Sequence, residues 1–86
     1  MSFTVRWKRS ARDDLANRWI NADSALRKAI TIASHQLEVQ LSSDPRRQSE
    51  SRDHDRYVFF YPPLGVLFKI DDVNAIVTIL QVWTFK

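Results

Sequence analysis

Cysteine is absent from this 86-residue chain. That excludes a disulfide framework, a thiolate zinc site and a cysteine nucleophile, and leaves an apolar core to hold the fold. Long hydrophobic runs are missing too: none approaches the roughly 18 residues that a membrane span needs. The first residues alternate apolar and polar side chains, where a signal peptide would carry a charged start and an apolar centre. There is no internal repeat, linker or low-complexity stretch. The length allows one domain over residues 1–86, and a domain of this size buries only about 60 to 65% of its unfolded surface. A deep private cavity for a small metabolite is therefore not expected. The expected mode of action is grip on another macromolecule, in the cytoplasm and without a membrane.

What is present is ordinary globular composition, 44% hydrophobic and 27% charged, far from the low-hydrophobicity corner where chains stay disordered. The net charge is only +3, but it is unevenly placed. Residues 1–12 carry Arg6, Lys8, Arg9 and Arg12 with no acid, whereas residues 13–45 carry five acids against three bases. A basic excess of this kind points to a nucleic acid or an acidic protein as partner.

The periodicities predict an α+β fold in the order β-α-α-β-β-β, with a mostly antiparallel four-stranded sheet and two antiparallel helices packed on one face. In Phe3-Thr4-Val5-Arg6-Trp7-Lys8 the apolar side chains alternate toward a core, leaving Thr4, Arg6 and Lys8 on the other face. Ser10 is placed to cap a first helix, with Asp13 and Asp14 in its first turn, and that helix ends near Asn21. Asp23 or Ser24 caps a second helix striped by Leu26, Ile30, Ala33, Leu37 and Leu41. Residues 46–55 hold no apolar side chain and read as the longest polar loop. Arg56 to Tyr61 and Val66 to Ile70 then read as a hairpin around the Pro62-Pro63-Leu64-Gly65 turn, and Ile76 to Trp83 as a central strand apolar on both faces.

With helices on one face, the open face of the sheet receives Arg6, Lys8 and Lys69. It also receives either Tyr57/Phe59/Tyr61 or Val58/Phe60 from one strand, and either Gln81/Trp83 or Leu80/Val82 from the last. Cations interleaved with aromatic rings suit single-stranded RNA, because cations neutralise phosphates and rings stack on splayed bases. The plainer alternative is that the rings are strand formers and the cations keep an exposed sheet soluble. In the polar loop, Arg46, Arg47, Arg52 and Arg56 could clamp phosphates with Glu50 or His54 transferring a proton, or could simply pair with the loop's own acids. Neither His35 nor His54 has a second ligand at metal spacing, so no metal and no cofactor are expected.

Several of these fragments, in this order and spacing, resemble the RelE/ParE toxin superfamily of type II toxin-antitoxin modules, the plasmid-stabilisation type. They are Phe3-Thr4-Val5-Arg6-Trp7, then Ser10-Ala11-Arg12-Asp13-Asp14-Leu15, Leu41 with Asp44-Pro45, Glu50-Ser51-Arg52 with Arg56, Pro63 to Asp71, and Val77 to Trp83. The resemblance spans essentially the whole chain. It implies a toxin restrained by a cognate antitoxin protein. RelE-like members cut mRNA on the ribosome, without a metal; ParE-like members poison DNA gyrase; a non-catalytic relic is a third possibility. If the chain is a nuclease, the resemblance implies that Arg56, Lys69 and Arg6 stabilise a pentavalent phosphate, with Glu50 the nearest candidate base. Lys8, Arg46, Arg47, Arg52, Trp83 and Lys86 complete the expected nucleic-acid-binding set. The chain departs from the nuclease pattern at its end. Where RelE-like nucleases keep a Tyr, often after a His, it reads Thr84-Phe85-Lys86, and Phe85 cannot transfer a proton.

Overall fold

The computed structural model describes residues 2–47, 49–53 and 55–85. Its elements are β1 (Thr4–Trp7), α1 (Arg9–Ile20), α2 (Ser24–Ser43), β2 (Glu50–Asp53), β3 (Arg56–Tyr61), β4 (Leu64–Asp71) and β5 (Ile76–Thr84). The α+β class and the two helices on one face are as expected from the sequence, but the sheet has five strands, in the order β1-β5-β4-β3-β2. The extra strand comes from the polar segment: Glu50–Asp53 pairs antiparallel with β3 at the edge of the sheet, and every one of its residues is exposed. An edge strand needs only backbone partners on one side, so it leaves no apolar signature. β1 joins the opposite edge, parallel to β5, and all other pairings are antiparallel.

α1 begins two residues earlier than its capping pattern predicts. Lys8 is the N-cap without a side-chain cap, since its ammonium has no acceptor; its N–H is donated to the Ile79 carbonyl of β5 and its carbonyl accepts from the Arg12 N–H. Ser10 is therefore already helical, and Asp13 and Asp14 fall outside the first turn. α2 starts as its sequence requires, with the Asp23 carboxylate accepting from the Leu26 N–H at 2.8 Å. The connection Asn21–Asp23 is too short for anything but a tight hairpin, and Trp19 Nε1 donates to Thr31 Oγ1 across it. Of the predicted α2 stripe, Ile30, Ala33, Leu37 and Leu41 are buried on the sheet. Leu26 is not: it is 39% exposed, because the first turn of α2 overhangs the sheet's end beside Pro63 and Phe85.

Registers left open by the sequence follow from the pairing. Tyr57, Phe59 and Tyr61 share the helix-covered face with Phe68, Val66 and Leu64, so Arg56, Val58 and Phe60 lie on the open face. In β5, Val77 and Ile79 face the helices, but the pairing then skips a residue. Phe68 is opposite Ile79 while Leu67 is opposite Gln81, which makes Leu80 a bulge. The extra residue reverses the alternation, so Val82 is again in the core and Gln81 and Trp83 are on the open face. Leu64 and Gly65, read from sequence as part of the turn, are the first residues of β4.

Candidate nucleic-acid interface

One row of register partners crosses the open face: Arg6 opposite Thr78, Thr78 opposite Lys69, Lys69 opposite Arg56 and Arg56 opposite Asp53. Three cations from three strands thus line up, with Thr78 supplying a hydroxyl between two of them. Arg6, Lys69 and Arg56 are exposed, and among the described residues the ion pairs are Arg18–Asp14 and Arg46–Asp72, so none of the three is neutralised by one. Directly opposed side chains in an antiparallel pair sit about 5 Å apart at Cβ, and like charges there are destabilising. Lys69 and Arg56 occupy such a pair.

The next open-face row is Gln81, Leu67, Val58 and Glu50. Glu50 is therefore diagonal to Arg56 across the β2–β3 ladder, within reach of a group held by that guanidinium. Beyond it lies the row Trp83, Gly65 and Phe60. Phe60 meets Trp83 edge-on at 6.1 Å between ring centroids and Phe85 at 5.3 Å. From the sequence, Phe60 is one of two alternatives for the open face, Gly65 a turn residue and Phe85 a departure from the nuclease pattern; their meeting is not expected. The available signal was the chain's single glycine, set inside an otherwise apolar strand.

Other expected contributors stand apart from the row. Lys8 lies past the end of β1, at the start of α1. Arg46 is committed elsewhere: it donates to both Asp72 carboxylate oxygens at 3.0 and 2.8 Å and to the Tyr57 hydroxyl at 3.3 Å, with its guanidinium 5.5 Å from the Tyr57 ring centroid. The Asp72 carboxylate and then the Tyr57 hydroxyl raise the affinity of Arg46 for its proton, and Arg46 in turn holds Asp72 below the usual carboxylate range. Arg47 is exposed in the turn after α2, and Arg52 is the unpaired residue of the β2 bulge. His54 and Lys86 lie outside the described residues.

Beside the row is a shallow depression of about 540 Å³, bordered by Arg6, Lys69 and Thr78 and by Asp55, Asp71 and Asp72. Two of these acids already have partners. Asp72 holds Arg46, and Asp71 accepts from the Asn74 side chain at 2.8 Å, which lowers its proton affinity. The surface can therefore take up an anion on the cations while Asp71 and Asp72 stay engaged within the fold. The described helices include none long and apolar enough to cross a membrane.

This layered arrangement, two helices over a mixed sheet whose open face carries a cationic row, has the architecture of a known class of small toxins. Several solved structures match nearly the whole chain, and the fold is that of RelE toxins. A chain of the RelBE2 toxin-antitoxin complex of Mycobacterium tuberculosis matches with TM-score 0.74 and 23% identity, over 98% of this chain and 99% of that one. A mutant of the E. coli toxin RelE in its free state matches with TM-score 0.64 and 14% identity, over 98% and 84%. The archaeal RelE–RelB complex of Pyrococcus horikoshii matches with TM-score 0.60 and 12% identity, over 98% and 96%. No protein-family model and no curated protein sequence matches.

Proposed function

We propose that this chain is a RelE-like toxin of a type II toxin-antitoxin module, that a cognate antitoxin protein holds it in check, and that it inhibits growth in the cytoplasm by cleaving mRNA at the ribosome. The observation that carries this is the row Arg6–Thr78–Lys69–Arg56. An opposed pair of cations weakens a sheet, and a phosphodiester bound between them turns that repulsion into attraction. In the proposed reaction a ribose 2′-hydroxyl attacks the adjacent phosphorus, Glu50 accepts its proton, and the three cations stabilise the pentavalent phosphate as negative charge grows on its oxygens. Breaking the bond to the 5′-oxygen leaves a 2′,3′-cyclic phosphate on one fragment and, once that oxygen takes a proton from water, a 5′-hydroxyl on the other. The similarity to chains of RelB–RelE complexes supports the antitoxin partner, as do Ile20, Ile32 and Val39, apolar side chains about half exposed on the two helices.

A second reading has its own support. Phe85 lies in the segment where the resemblance implies a proton-transferring Tyr, and it is packed against Phe60. A toxin that works by occupying a surface, on gyrase or elsewhere, needs no such group. Induced expression separates the two. Cuts within translated mRNA, absent in the Arg56→Gln, Lys69→Gln double variant, are the expected result. Growth arrest with intact mRNA and altered DNA supercoiling would replace the nuclease with a gyrase poison, and unchanged toxicity in the double variant would discard the cationic row as the site.

A further inference from the structure

We propose that Trp83, laid flat on Gly65 and flanked by Phe60, is a base-stacking platform that receives a nucleobase of single-stranded RNA held by its phosphates on the Arg6–Lys69–Arg56 row; this rests on the nucleic-acid reading above. Gly65 is the only glycine in the chain and lies inside β4 with an ordinary, negative φ, so the backbone does not require it. Space does. A Cβ at residue 65 would meet Trp83 Cε2 and Nε1 at 2.6 Å and Cζ2 at 2.9 Å. Three adjacent ring atoms at nearly equal distance from one point put that point over the ring, so the half-buried indole lies across the strand with one π-face on the Gly65 backbone.

A second costly feature has the same result. Without the Leu80 bulge the alternation of β5 would carry Trp83 to the helix-covered face, and bulges commonly re-aim a side chain beside a functional site. Glycine inside a strand and a bulge in a central strand both weaken a sheet. Together they put one flat ring on the face that bears the cations. Phe60, 41% exposed, stands edge-on beside it and walls one side. From Lys69 to Gly65 is four residues along β4, about 13 Å at strand rise, a span that a single strand covers in a few nucleotides. The floor between is Leu67 and Val58, with Glu50 of the same row out at the β2 edge.

The rival is an aromatic cap that only shields the sheet. Fluorescently labelled oligoadenylates, intact or with one abasic position moved stepwise along the strand, discriminate between them with the unmodified chain. The expected result is one position whose base removal weakens binding about 5- to 150-fold. Trp83→Leu should lose as much on the intact strand and become insensitive to the abasic site. The slope of affinity against salt should stay the same, since stacking releases no counterions. Salt-dependent binding that ignores every abasic position would overturn the platform and leave the cationic row standing. Absence of salt-dependent binding to any of these strands would overturn both. If Trp83→Leu does not fold, the abasic series on the unmodified chain still decides.

Discussion

Leu37 and Leu26 are both leucines of α2 and both belong to the apolar stripe that the sequence displays, yet the fold treats them differently. Leu37 is fully buried at the centre of the helix, whereas Leu26 is 39% exposed in its first turn. Truncation to alanine gives each helix position the same gain in helix propensity, so the difference between the variants reports burial alone. A fully buried leucine cut to alanine costs about 2 to 5 kcal/mol, because packing around the lost methyls relaxes only partly. Against a total of about 4 to 13 kcal/mol for a domain of this length, that is a large share. At about 4 to 8 °C per kcal/mol, Leu37→Ala should lower the melting temperature by at least about 8 °C. Leu26→Ala removes less buried surface from a site already half in water, and should cost about 1 kcal/mol or less. Urea and thermal melts followed by far-UV circular dichroism give both values. Equal losses for the two variants would refute the burial assigned to α2.

Arg46 holds Asp72 below its usual range, so the stabilisation from this pair is present above the ordinary Asp value of about 3.9 and is lost as pH falls through the lower folded value. Melting curves of the parent and of Asp72→Asn should therefore converge in acid and separate toward neutrality, and a constant offset at all pH values would contradict the pairing. Gly65→Ala forces Trp83 off its seat. Overpacking costs of about 1 to 3 kcal/mol, less about 0.5 to 1 kcal/mol from removing a strand glycine, leave a net loss of up to about 2.5 kcal/mol. The variant's tryptophan emission should shift to the red, and a more stable protein with unchanged emission would show that the indole does not lie where described. In binding to RNA, Arg56→Gln and Lys69→Gln should each flatten the salt slope by about one unit; unchanged slopes would remove those residues from the phosphate contacts.

How much of this was legible in the sequence depended on whether burial enforced it. Ile30, Ala33, Leu37 and Leu41 could be assigned from spacing because a helix packed on a sheet must present an apolar stripe. Arg6 and Lys69 could be placed on the open face because each sits between residues whose alternation is enforced by the core. β2 was hidden, since Glu50–Asp53 is held by backbone hydrogen bonds at an edge and buries nothing. The face of Trp83 was hidden for a different reason. A strand apolar on both sides carries no phase of its own, and the Leu80 bulge, which sets the phase, has no composition that marks it. The commitment of Arg46 to Asp72 spans 26 residues and depends on the turn after β4 meeting the one after α2, a meeting that only the folded chain displays.

The two faces of the sheet obey different rules, and the contrast bears on where function lies. On the helix-covered face every choice agrees with stability: Val66, Phe68, Val77 and Ile79 are fully buried, in register and apolar. On the open face three choices work against it within five residues of β4 and its neighbours. Lys69 is opposed by Arg56, Gly65 interrupts a strand, and Leu80 breaks the ladder. Consistency across local and global preferences is the general condition for folding to one structure, and departures from it concentrate where a protein binds or reacts. A surface kept only for solubility would need neither an opposed pair of cations nor a bulged strand. The open face instead gathers cations at one end and a flat ring at the other, an arrangement whose stability cost is offset when a phosphate and a base arrive together.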